Sequence, residues 1–82
     1  MHPPASPVAK EAVESGVARL LASGVSVATP PDLFGAANDA AWEAGLMLSQ
    51  SDVRVAVYEW DGYVYDDPPP DDTLIDLGGR RK

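Results

Sequence analysis

The sequence predicts a small α+β domain: two antiparallel helices packed on one face of a C-terminal β-hairpin, with residues 73–77 open to three readings, a third strand of an antiparallel sheet, one helical turn, or a segment that orders on a partner. Three observations predict it. Two segments in the first half carry apolar residues at helical spacing behind recognisable N-caps. A run in the second half, V-R-V-A-V-Y-E-W-D-G-Y-V-Y over residues 53–65, is rich in β-branched and aromatic residues and broken by Asp61 and Gly62. The chain is 82 residues long and has no cysteine, so its small core must be stabilised by packing rather than disulfides.

Residues 1–5 are proline-rich and unanchored, and are expected to be a disordered N-terminus. A single domain then spans 6–77. Ser6 followed by Pro7 reads as an N-cap and a first helical residue, where a missing N–H is harmless. Ala9, Val13, Val17, Leu20 and Leu21 form the apolar stripe of this first helix, with Lys10, Glu11, Glu14 and Arg19 opposite. Gly16 weakens its middle by up to ~1 kcal/mol relative to alanine, which implies either a close packing contact or a soft helix. Gly24 is placed as the left-handed cap, with Val25 closing back on Leu20.

Residues 25–28 are an extended connector or a brief strand beside the hairpin. Thr29, Pro30, Pro31 and Asp32 then open a second helix expected to run to Leu48 or Ser49. Leu33, Phe34, Ala37, Ala41, Ala44 and Leu48 line one face, and Gly35, Ala36, Ala40 and Gly45 keep the rest slim. Trp42 sits off the main stripe, and reads as core or as an interface anchor.

Asp-Gly between strand-like runs is the strongest short-range hairpin signal, because a type I′ turn needs positive φ at both central residues. A two-residue turn pairs Trp60 with Tyr63 and Tyr58 with Tyr65. Strand alternation puts Val53, Val55, Val57 and Val64 on one face, and Ala56, Tyr58, Trp60, Tyr63 and Tyr65 on the other. With the valines against the helices, the aromatic face is left exposed as a binding patch; the alternative is that the aromatics only stabilise the hairpin by cross-strand pairing, or are themselves the buried face. Beyond it, residues 66–72 form an acidic, proline-rich segment, D-D-P-P-P-D-D, expected to be extended. Residues 78–82 read as a flexible basic tail.

The formal net charge is −7, and it is localised. Between Asp52 and Asp76 lie eight acids against Arg54 alone, while the acids and bases elsewhere balance. Such a field favours a basic partner and opposes direct nucleic-acid binding. No run of residues is long and apolar enough for a membrane span, and no signal peptide opens the chain, so a cytoplasmic protein is expected. The only histidine is His2, and there is no thiol, no phosphate-cradling glycine loop and no EF-hand spacing. Catalytic, cofactor and metal sites are therefore not expected, and neither is enzyme activity.

The function this implies is a protein–protein interaction module, an inhibitor or regulator that blocks a basic surface of its target, in part as a nucleic-acid mimic. Its expected contact residues are Tyr58, Trp60, Asp61, Tyr63, Tyr65, Asp66, Asp67, Asp71 and Asp72. Phage-encoded inhibitors of host defence (anti-CRISPR and anti-restriction proteins), immunity proteins and antitoxins share this size and charge, an analogy of class only. The alternative is a self-assembling structural module, in which the slim helix and an open strand edge build a homodimer.

Overall fold

The computed structural model describes residues 4–60 and 72–78, which form three helices and a small two-stranded antiparallel sheet. Helix α1 spans Pro7–Ala22, strand β1 Val27–Ala28, helix α2 Pro30–Glu43, helix α3 Gln50–Glu59 and strand β2 Ile75–Asp76. A mixed α+β fold is present.

Local chemistry sets the first two helices as expected. The Ser6 hydroxyl accepts from the Ala9 amide at 3.2 Å, with Pro7 as the first helical residue. At the other end Gly24 has φ +89°. The Val25 amide donates to the Leu20 carbonyl (2.9 Å) and the Gly24 amide to that of Leu21 (3.0 Å), the two bonds of a Schellman cap. For α2, Thr29 and Asp32 exchange side chain-to-backbone bonds, both 3.4 Å, in a capping box.

The second helix is shorter than the sequence predicts. It ends at Glu43, where Gly45 takes φ +74°. The Gly45 amide donates to Trp42 and the Leu46 amide to Ala41, so the same capping motif that ends α1 also ends α2. Residues 46–49 form a connector, and Ser49 caps a third helix by accepting from the Asp52 amide at 3.1 Å.

That third helix corrects the hairpin. Residues 53–59, expected to be its first arm, are the body of α3, with Trp60 at the C-cap. Val53, Ala56, Val57 and Trp60 are buried, an i, i+3, i+4, i+7 stripe. Val55, assigned to the same face as Val53 and Val57, is only partly buried, while Ala56 from the opposite set joins them inside. A helix satisfies its own backbone groups, whereas a strand here would require a partner along its whole length. The turn at Asp61 and Gly62, and the second arm with Val64, lie outside the described residues.

The sheet is built from other residues. Val27 pairs with Asp76 and Ala28 with Ile75, and the Leu77 amide extends the ladder to the Ser26 carbonyl at 2.9 Å. Alternation holds on both strands: Ala28, Ile75 and Leu77 are buried, whereas Val27 and Leu74 are exposed. Both segments do contain short strands, but these pair with each other and not with a hairpin at 53–65.

The core joins Ala9, Val13 and Val17 of α1, Leu33 and Ala37 of α2, the α3 stripe, and Ala28, Ile75 and Leu77. Ala5 also packs into it. Leu21, assigned to the α1 stripe, is exposed, and Ala12 and Gly16 take the buried positions instead. Of the apolar stripe assigned to α2, Phe34 and Leu48 are half-buried, and Ala44, which caps the helix, is exposed.

Gly16 explains itself at the α1–α2 crossing. A Cβ there would stand 2.6 Å from the Ala37 amide nitrogen and 2.9 Å from the Ala36 carbonyl carbon. These are backbone atoms, which cannot swing aside. The close-contact reading of this glycine therefore holds.

The α3 carboxylates tie it to α1. Asp52 accepts from the Ser6 amide at 3.1 Å and from the Ser6 hydroxyl at 2.5 Å. One turn-pair further along, Glu59 lies 3.9 Å from the Lys10 ammonium.

Two stability predictions follow from these contacts. Gly16→Ala should destabilise the domain by about 1–3 kcal/mol in denaturant unfolding, although alanine favours an isolated helix by up to ~1 kcal/mol. A neutral or stabilising result would mean that the helices do not meet here. Asp52→Ala should lower stability by about 1–2 kcal/mol, since it removes two charge-assisted bonds at a half-exposed site. Glu11→Ala, at an exposed position of the same first turns, should change it little.

Candidate functional site

Of the expected contact residues, Tyr58, Trp60 and Asp72 fall within the described part of the chain. Asp61, Tyr63, Tyr65, Asp66, Asp67 and Asp71 lie outside it. Tyr58 and Trp60 are each only 9% exposed and belong to the core cluster. As neighbours on a strand's outer face they would have been open to a partner. On α3 they fall where the helix turns against the body of the protein, so the exposed aromatic face is corrected for these two rings. Asp72 is exposed, just ahead of β2.

Among the described residues the open aromatic is Trp42, which is 84% exposed. Its position follows from helix geometry. Trp42 is nine residues beyond fully buried Leu33, and at about 100° per residue it points roughly opposite the buried face. That face is lined by Ala37, Ala40 and Ala41 against α1, too tight for an indole. Met47 in the following connector is 98% exposed. Trp42 lines an open depression of about 370 Å³ together with Asn38, Asp39, Ala41, Leu46 and Leu48. The sequence offered Trp42 as core or anchor, and the core reading fails.

Charge around this patch is partly neutralised. Arg19 of α1 donates to the Glu43 carboxylate, joining the two helices beside Trp42. The hydrogen bond, reinforced by the opposite charge, holds the Glu43 carboxyl below its ordinary value and the Arg19 guanidinium above its own. Asp39 is exposed on the patch. On α3 Asp52 keeps its charge while accepting from Ser6, and the Glu59 carboxylate lies against the Lys10 ammonium.

A second recess lies between the start of α2 and the side of α3. Pro30, Pro31 and Phe34 form one wall and Arg54, Val57 and Tyr58 the other, around a volume of about 230 Å³. The Arg54 guanidinium carbon is 5.3 Å from the centroid of the Phe34 ring, a cation–π distance. Among the described residues no group of three metal-ligating side chains converges, and no helix is long and apolar enough to cross a membrane.

The Arg19–Glu43 pair makes a pH prediction whose sign is fixed. Because the folded carboxyl is lowered, any stabilisation from it is present above the ordinary glutamate range and is lost as pH falls through the lowered value. Both groups are exposed, so added salt weakens the effect. An NMR titration should find the Glu43 midpoint below the ordinary glutamate value, and Arg19→Gln should return it there. An ordinary midpoint in the native chain would show that the bridge does not form in solution. No family model matches this chain, and no curated protein or solved structure is significantly similar to it.

Proposed function

We propose that this chain is a small acidic protein-interaction module that docks through the Trp42 end of α2 onto a protein with a basic surface, and regulates or inhibits that partner by covering it. The observation that carries the reading is an 84%-exposed tryptophan lining an open depression, with a 98%-exposed methionine in the connector that follows α2. Tryptophan is the residue most enriched at interface hot spots, and methionine adapts its shape to a partner. A net charge of −7 supports the choice of a basic partner, whose approach it accelerates. In mechanism the indole would fill a socket on the target while surrounding carboxylates pair with lysine or arginine at the rim. The expected contact surface thus moves from the α3 aromatics to Trp42, Met47 and Asp39, with Asp72 as a peripheral acid.

Self-assembly is the second reading. Its support is the short β1–β2 sheet, whose outer face exposes Val27 and Leu74. Like charge on two identical copies works against it.

The test is a binary one, made with a partner captured by the native chain and then purified. Trp42→Ala should weaken that complex at least ~30-fold, the factor equivalent to about 2 kcal/mol, with an unchanged melting temperature. In a Trp60→Phe background, the emission of the remaining Trp42 should be readily quenched by acrylamide and become protected on binding. Full affinity in Trp42→Ala would refute the docking surface. A stable dimer by light scattering, with Trp42 protected in the free protein, would favour self-assembly.

A further inference from the structure

We infer that the recess between the N-terminal turn of α2 and α3 is a binding site for a small apolar monocarboxylate, of about the size of phenylacetate, with Arg54 as its anion-binding group. The inference stands apart from Trp42, which does not line this recess.

Charge complementarity carries it. Three cationic side chains fall within the described residues, and two are bridged to carboxylates: Lys10 to Glu59 and Arg19 to Glu43. Arg54 has no carboxylate partner among the described residues. It sits over the Phe34 ring instead. A cation–π contact engages the charge of a guanidinium and leaves its N–H donors uncommitted, and those donors suit a carboxylate. Tyr58 lines the same wall as Arg54.

The other lining groups select the rest of the ligand. Pro30, Pro31, Phe34 and Val57 offer apolar surface and no side-chain donors. The end of α2 adds shape rather than hydrogen bonds, because its two prolines have no N–H and the Asp32 and Leu33 amides are bound to Thr29. A volume of about 230 Å³ holds roughly eight water-sized groups at about 30 Å³ each. That matches a single ring or branched chain with one carboxylate. It is too small for a nucleotide, and a lone arginine in an apolar setting is poorly matched to a phosphate dianion. The negative field of the whole chain is screened beyond ~8 Å at physiological salt, so the adjacent guanidinium dominates at the site.

The experiment is a titration of the ¹⁵N-labelled full chain with phenylacetate. The readouts are the Arg54 side-chain signal and the amides of Phe34, Val57 and Tyr58. Saturable shifts at these positions are expected, with a millimolar Kd appropriate to so small a ligand. Arg54→Gln should weaken binding tenfold or more, and Arg54→Lys, which keeps the charge but not the planar fork, should fall between. Unchanged melting temperatures in both variants keep the comparison free of folding defects. The neutral analogue 2-phenylethanol should bind at least tenfold more weakly than phenylacetate. Equal binding of the alcohol, full affinity in Arg54→Gln, or no saturable shift would each overturn the proposal. So would binding that appears only after Asp66, Asp67, Asp71 and Asp72 are changed to asparagine, since the chain's own carboxylates would then be the occupants.

Discussion

The backbone of α1 at Gly16 lies against the backbone of α2 at Ala37, closer than any side chain would permit, and much of the domain is arranged around that approach. Two helices can come this near only when the crossing point lacks a Cβ and the surrounding residues are small. Ala9, Ala12, Ala37, Ala40 and Ala41 meet that condition. The closeness compensates for the modest apolar area each alanine brings, because short-range dispersion rewards contact rather than size. It also has a consequence at the surface. A face this flat leaves no room for an indole, so the bulkiest residue of α2 is turned out to solvent.

The third helix is held to the first by polar as well as apolar contacts. Val53, Ala56 and Val57 enter the core, while Asp52 and Glu59 reach Ser6 and Lys10 of α1. Ser6 has two roles, capping its own helix and donating to the start of another. Hydrogen bonds linked in this way polarise one another, which favours a defined docking angle over a loose apolar contact. Carboxylates that look in sequence like part of a diffuse acidic field thus prove to be structural.

What remains open to solvent is chemically divided. One end of α2 presents Trp42 and Met47 beside a bridged ion pair, and the other end forms a recess closed by Phe34 and Arg54. An indole projecting outward suits a socket on a larger partner. A concave recess with one cation suits a small guest. Both are built around α2, whose alanines carry the packing, while the following connector adds Met47 and α3 adds Arg54.

The chain by itself determined the ends of its helices, because caps are local: Ser6, Thr29 and Gly24 each bond to backbone within a few residues. Gly45 and the Ser49–Asp52 spacing are equally local signals, set within a continuous run of small residues and then of valines that masks them. Residues 53–60 were not decidable locally. V-R-V-A-V-Y-E-W satisfies strand alternation, and Val53, Ala56, Val57 and Trp60 satisfy helical spacing equally well, with β-branching favouring the strand. Only tertiary structure broke the tie, since the helix brings one apolar stripe to α1 and α2 and two carboxylates to Ser6 and Lys10. The exposure of Trp42 was decided at the same level. It depends on how closely α1 approaches α2, and that distance is a property of two helices together.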